Sequence, residues 1–450
     1  MTISSVRIPH ATLIVGVAAA LIAAALLWLS RTYNFYFDEW TFILTAPDWT
    51  WVTYLQPHNE HPSILFRLLY AALLNTVGMR SYVPYMAVLL ALHAVNVVLL
   101  FMVVRRRGAG DAVALGSAGL LLLLGAGWEN LLWAFQMAWL ASVACGLGML
   151  LMLQARPSRS SLALAVALAA ASMMFSGIGL TFAAFAVMML APTPARRREL
   201  LWFVPLGVAV VAWYLAFGRA GTPPNPPATA ANIALLPLYA AWGLGQSAAG
   251  LIGESGAWGP PALAAAVLAI GLTWRRHRPD PFALGAVAAL VTLYVVTGLT
   301  RAQLGYAQSG SGRYVYEGAV FWLVLLAGAA RNLPWRGSWR LALVACLFLA
   351  CFNSSVLLFT YAVAKGAQMQ RETADLQALA AERSDPCLSP DGWADPLVIP
   401  QVDNPALYYR AVDRYGDPVA GRPITDRADF DRARSNLRRL RQAPSRPGCN

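Results

Sequence analysis

Residues 11–40 read ATLIVGVAAALIAAALLWLSRTYNFYFDEW, and the change of character inside them decides the fold. Residues 11–30 carry no charge and are long enough, at about 20 apolar residues, to cross a bilayer as one helix. NFYFDEW, residues 34–40, then delivers Asp38 and Glu39 directly behind that span. Comparable apolar runs recur at 82–104, 111–127, 130–153, 200–217, 258–274, 281–300, 314–330 and 341–363. The block at 162–190 has basic residues at both flanks and a Ser176-Gly177 step with Gly179, so it reads as two short spans turning there. The chain is 58% hydrophobic and 12% charged over 450 residues, whereas a soluble domain carries about 25% charge. The reading is an all-α polytopic membrane protein with about 11 transmembrane helices.

The net charge of +12 would suggest nucleic acid in a soluble protein. Here its placement argues otherwise. Arg105-Arg106-Arg107, Arg156 with Arg159, Arg196-Arg197-Arg198, Arg275-Arg276 with Arg278, and Arg331 with Arg336 and Arg340 all sit in short connections between apolar runs. That pattern marks the cytoplasmic side, and no nucleic-acid partner is expected. Parity then places the N-terminus inside and residues 31–80 outside. The proline-dense loop 218–232 and the tail 365–450 also fall outside. Residues 233–252 are long enough to span, but the next run ends in Arg275-Arg276, so they are read as an external re-entrant or interfacial helix. The first run has no cleavage site and is read as a retained span. Two units result, a membrane module over 1–364 and a small extracytoplasmic tail over 365–450 with amphipathic stretches at 366–383 and 425–441. In an oxidising compartment Cys387 and Cys449 would form a disulfide, with two separate thiols as the alternative. Basic residues are nearly all Arg, Lys365 being the one lysine; with the heavy Ala, Leu and Val usage this hints at a GC-rich bacterial genome and the inner membrane.

The acidic residues sort by side. Asp111, Glu199 and Asp280 fall at cytoplasmic turns and read as ordinary helix-end groups. Asp38, Glu39, Asp48, Glu60, Glu129, Glu254 and Glu317 fall at or near the outside. The cytoplasmic loops hold no phosphate-binding loop and no dinucleotide glycine pattern, so any chemistry is external, where soluble nucleotide donors are lacking. In the loop 31–80, residues 38–56 mix Trp40, Phe42, Trp49, Trp51 and Tyr54 with carboxylates, which suits a helix at headgroup level. PHNEHPS, residues 57–63, follows as a turn, and 62–78 gives a second apolar helix ended by Gly78.

An acidic pair just after the first span, two interfacial helices and a polar, proline-flanked turn resemble the GT-C superfamily of integral membrane glycosyltransferases. Protein mannosyltransferases and lipid A aminoarabinose transferases share this layout, which covers the architecture of residues 1–330. The motif match is confined to Asp38-Glu39 and their loop, and PHNEHPS stands where the aminoarabinose group has a lysine-proline-proline turn. The resemblance implies a polyprenyl-phosphate sugar donor and an exported glycan, lipid or protein acceptor. It implies Asp38 as general base of an inverting transfer, taking the acceptor hydroxyl proton while phosphate leaves from the opposite face. Glu39 would orient a loop or bind acceptor. A helix cap beside a solvated neighbour is the plain alternative for the pair.

Three further groups of candidates follow. His58, Glu60 and His61 are all metal-ligand types, but their spacing is not that of a helical zinc motif; hydrogen bonding to sugar or phosphate is the preferred reading, with loop packing and metal left open. In GAGWENLLWAFQMAW, residues 125–139, Glu129 and Gln136 fall on one face of a helix, suiting a cleft-lining pair. In TRAQLGYAQSGSGRYVYEG, residues 300–318, Arg313 with Tyr314 is the leading phosphate partner and Arg301, near Tyr306, the second; interfacial snorkelling would explain either arginine without function. A divalent ion held by one carboxylate and a substrate phosphate also stays open. A transporter or flippase of lipid-linked sugars is the alternative activity. It expects internal repeats and charges at mid-membrane depth. A scaffold subunit binding partners through its tail is the third.

Overall fold

The computed structural model describes residues 2–59, 61–219, 228–331, 333–389, 392–424 and 426–441. Within them the protein is all-α apart from one two-residue hairpin and a bridge between Thr2 and Pro334. Eight helical runs are long and apolar enough to cross a membrane, and three shorter apolar helices accompany them. The coarse expectation of a polytopic helical membrane protein therefore holds.

Helix α1 (Ala11–Leu29) leads into a loop that carries α2 (Asp38–Thr45), α3 (Trp51–Leu55), the hairpin β1 (Pro57–His58) with β2 (His61–Pro62), and α4 (Ile64–Thr76). The single helix expected over 38–56 is in fact two. Pro47, which has no N–H to donate, lies in the turn over 46–48, and the chain is extended at Trp49 and Thr50 before α3 restarts. Next come α5 (Val83–Val104) and α6 (Gly110–Leu122), which reverse on each other. His93 Nε2 lies 3.2 Å from the Leu122 carbonyl, and Arg105 pairs with Asp111 at 2.8 Å at the other end. Gly110 makes the reversal with φ +82, and an added Cβ would lie 2.4 Å from the Ser4 carbonyl oxygen.

Helices α7 (Glu129–Leu132) and α8 (Met137–Gln154) replace the one helix expected from 130. Trp133 is extended between them, so Glu129 and Gln136 do not share a helical face. The break frees the Ala134 N–H, which donates to the Tyr82 hydroxyl at 2.8 Å. Helices α9 (Arg159–Phe175) and α10 (Gly179–Leu190) turn at Ser176-Gly177 as their sequence predicts. α11 (Val204–Trp213) has no buried residue. α12 (Ala230–Gly250), α13 (Gly259–Arg276), α14 (Pro281–Arg301) and α15 (Gly312–Ala330) complete the packed bundle. Small residues let these helices approach, as is usual where no water drives them together: Gly146 seats Phe182, and Gly285 seats Phe185. α12 starts beside the end of α14, with Ala228 N–H on the Leu299 carbonyl. It ends against Val315 near the start of α15, so both its ends lie at one end of the bundle. Of the proline-rich loop expected over 218–232, residues 220–227 lie outside the described residues.

The opposite end of the bundle gathers the arginines. Arg107 is paired with Asp280 at 2.9 Å and Arg196 with Glu199 at 2.7 Å, so the acids assigned to helix ends by sequence are all engaged there.

Helix α16 (Gly337–Ala381) runs unbroken for 45 residues, whereas a separate amphipathic stretch was expected from 366. At 1.5 Å per residue it is about 67 Å long, against about 30 Å of hydrocarbon. Its last turns therefore stand clear of the bundle and pack with α17 (Pro405–Tyr415) and α18 (Arg427–Arg441) onto the first loop. Tyr408 meets Trp40 edge to face at 5.6 Å, and the Tyr33 hydroxyl donates to the Ala362 carbonyl at 2.7 Å. Cys387 is disulfide-bonded, while Cys449, its expected partner, lies outside the described residues. Arg432 of α18 bonds both Asp375 and Asp395 at 2.9 Å, and both carboxylates are buried. Arg432→Ala leaves the buried Asp375 without its ion-pair partner, although Asp395 keeps the Asn436 amide, and should weaken the docking of α18 by about 3 kcal/mol. Faster hydrogen exchange or proteolysis confined to the tail would show it; an unchanged tail would refute it.

Candidate functional site

The site is built where the chain leaves α1. Phe37, with φ +49 and ψ −120, turns the backbone sharply so that Asp38 opens α2. That φ is uncommon for an aromatic residue and marks a position held by its surroundings. Asp38 and Glu39 then diverge. The Asp38 side chain is 27% exposed, and its Oδ2 lies 3.9 Å from His58 Nε2. Glu39 is 0% exposed. It accepts from the Tyr36 N–H at 2.9 Å and from the Tyr82 hydroxyl at 2.9 and 3.1 Å. Glu39 is thus the anchor and Asp38 the group presented to the outside of the bundle.

Burial pushes the Glu39 carboxyl up to about 8, against the Tyr36 N–H, the Tyr82 hydroxyl and the Lys365 charge, all of which favour its ionised form. Burial also raises the Tyr36 phenol, and Glu372, Glu129 and Asp38 add to that rise through their charges. Three carboxylates thus converge on one tyrosine.

PHNEHP is not a simple turn but a minimal antiparallel hairpin in which His58 faces His61 and Pro57 faces Pro62. Asn59 carries φ +51 in its loop; Glu60 lies outside the described residues. Arg67 of α4 holds the hairpin's approach by donating to the Thr53 and Pro57 carbonyls at 3.0 and 3.2 Å. The His58 ring is seated edge-on against Phe42 and Phe135.

The second predicted constellation arrives from α7 and α15. Glu129 accepts from the Gly312 N–H at 3.1 Å and lies 3.7 Å from the Arg313 guanidinium. A carboxylate at that helix N-terminus is also favoured by the helix dipole. The charges of both Glu129 and Asp38 act on Arg313. Asp38, His58, Glu129 and Arg313, spread over 275 positions of sequence, therefore form one polar mouth. The other candidates are placed elsewhere. Tyr314 is buried against Trp139, behind Arg313. Gln136 is buried with its Oε1 unpaired. Tyr306 is exposed against Trp242. His61 and Arg301 line a separate apolar cavity of about 710 Å³ between α9, α10, α11 and α14. Its wall runs from Arg301 to Leu293, about 12 Å along α14.

Lys365 was passed over as a matter of composition. It is 4% exposed, and its ammonium lies 2.9 Å above the Tyr36 ring centroid, near enough to Glu372, Glu39 and Glu129 to feel their charges. The signal was present: a lone lysine at the end of a span, in a chain that otherwise uses arginine. Tyr82 and Arg67 gave no comparable signal. Among the described residues no three His, Cys, Asp or Glu side chains are placed to share a metal ion. Comparison with known protein families, with curated proteins and with solved structures finds no match for this chain.

Because Glu39 is held neutral by burial, its stabilising contribution is complete below the ordinary value of 4.5 and is lost as pH rises through about 8. The melting temperature of the purified protein should therefore fall between about pH 5 and 9, and Glu39→Gln should flatten that fall. A wild-type curve that is level across this window would overturn the assignment.

Proposed function

We propose that this chain is an inverting membrane glycosyltransferase of the GT-C type, taking a sugar from a polyprenyl-phosphate carrier. The observation that carries this reading is the Asp38 carboxylate at the polar mouth, with the apolar cavity, headed by His61 and Arg301, across the hairpin from it. A cavity with polar groups at one end and aliphatic walls below suits a lipid whose head is an anion. Asp38 takes the proton of the acceptor hydroxyl, whose oxygen attacks the anomeric carbon. The bond from that carbon to the phosphate oxygen breaks, and polyprenyl phosphate leaves on the opposite face. Arg301 and Arg313 supply positive charge for the leaving phosphate. The acceptor is an exported glycan, lipid or protein; a divalent ion, were one used, would be held at Asp38 and would supply positive charge to the phosphate.

In this reading the eight long runs become eleven crossings, because Val83–Leu122 is a hairpin of two and α9 with α10 adds two more. The arginine-rich end faces the cytoplasm of a bacterial inner membrane, and the mouth and tail face outward. The alternative, a carrier of lipid-linked sugars, draws on Glu317. It is buried within α15 and hydrogen-bonded to Thr181 of the cavity wall, and buried acids inside the membrane are typical of transport paths.

Incubation with polyprenyl-phosphate sugars should release polyprenyl phosphate, and Asp38→Asn should slow release by about 10²–10⁴-fold. Full turnover by Asp38→Asn would end the base assignment; movement of intact lipid without release would favour the carrier. Val210→Trp, which fills the cavity, should raise the donor KM about tenfold with little change in kcat. An unchanged KM would remove the cavity from the donor site.

A further inference from the structure

The cavity and the Asp38 carboxylate are separate places, since Asp38 is not among the cavity's lining residues. One small element touches both. In the hairpin His58 and His61 are directly opposed, and opposed residues in an antiparallel pair carry their side chains on the same face, about 5 Å apart. His61 and Pro62 line the cavity, while His58 is the neighbour of Asp38.

Two contacts from the cavity wall bear on this hairpin. The turn between α9 and α10 lies so close to His61 that a Cβ at Gly177 would sit 2.5 Å from its Nδ1. Trp213, at the end of α11, donates from its indole N–H to the Leu55 carbonyl at 2.8 Å, two residues before the hairpin. Both Gly177 and Trp213 also line the cavity. Among the spanning runs α11 is the one with none of its apolar window buried, so the wall that carries Trp213 is the wall least held by packing.

At the other side of the hairpin a hydrogen bond is left unmade. His58 Nε2 is buried and has no partner, and 3.9 Å to Asp38 Oδ2 is beyond hydrogen-bond range. A shift of about 1 Å would close it.

We propose that His61 is a positioning residue that passes occupancy of the lipid cavity through the hairpin to His58, which then donates Nε2–H to Asp38. The bond fixes one carboxylate oxygen and leaves the other for the acceptor hydroxyl, so the base is oriented only while the lipid is bound. This rests on the cavity's being the donor site, as argued above.

Coupling of this kind is reciprocal: if lipid draws His58 onto Asp38, then removing Asp38 must weaken lipid binding, although Asp38 does not touch the cavity. The purified full chain is titrated with undecaprenyl phosphate. Asp38→Ala and His58→Ala should each weaken binding by at least about fivefold. In the His61→Ala protein, adding Asp38→Ala should change nothing further. Simple Coulomb repulsion predicts the opposite sign, because Asp38→Ala removes a negative charge from the vicinity of a phosphate. Unchanged or tighter binding by Asp38→Ala overturns the proposal, as does the same weakening persisting without His61. Gly177→Ala, which displaces His61 without deleting it, should also reduce the coupling and serves if His61→Ala does not fold. Absence of binding by the unaltered protein would overturn the donor-site reading and this proposal together, whereas binding without coupling would overturn this one alone.

Discussion

The buried Glu39 carboxyl is the interaction on which the loop end of the protein depends. It joins the Tyr36 N–H, before α2, to the Tyr82 hydroxyl, before α5. That hydroxyl in turn accepts from the Ala134 N–H, where the chain starts back toward α8. One acidic side chain thus ties together three segments that are distant in sequence. Each polar group in the set is satisfied by another, and a buried carboxyl tolerates no less. Phe35 packs the same point from the apolar side, edge-on to Tyr82 and Tyr85. With Glu39 turned inward and Phe37 at a positive φ, Asp38 is the one acid of the pair that can face outward. The buried anchor and the outward-facing acid are adjacent residues because a helix start projects consecutive side chains in different directions.

The second constraint is the membrane itself. Helices in lipid gain little from hiding apolar surface on one another, so they approach where small residues permit contact and stand apart elsewhere. The pairs around Gly146 and Gly285 close tightly. α11 has no buried residue, and the space behind it remains as the apolar cavity. In water such a gap would collapse or mark an aggregation surface. In a bilayer it can persist, because its aliphatic lining faces no water.

Several features of the site were legible because they rest on local chemistry. Uncharged runs marked the helices, arginines marked one end of the bundle, and the acids left over at the other end included Asp38 and Glu129. Arg313 could be singled out beside them because it opens a helix whose N-terminus faces that end. The hairpin at PHNEHP was read as a turn, since two-residue strands leave no alternating pattern. The break at Trp133 was missed for a related reason. Its stabilising partner, the Tyr82 hydroxyl, is 52 positions away, and nothing in WENLLWAFQMAW itself argues against a continuous helix. Lys365 was read only as a matter of composition, because its carboxylate neighbours Glu39 and Glu129 are more than 200 positions away in the chain.

By itself the sequence determined that this is a membrane protein, where its chain turns, and which acidic residues have no ordinary partner at the helix ends. Those are properties of composition and short-range order. Only the tertiary structure decided that Glu39 is an anchor and Asp38 is not, and that Arg313 meets Glu129 while Arg301 lines the cavity. It alone also set His58 beside Asp38 and His61 on the cavity wall. Such assignments depend on which groups are buried together, and burial is a property of the packed helices rather than of any segment of the chain.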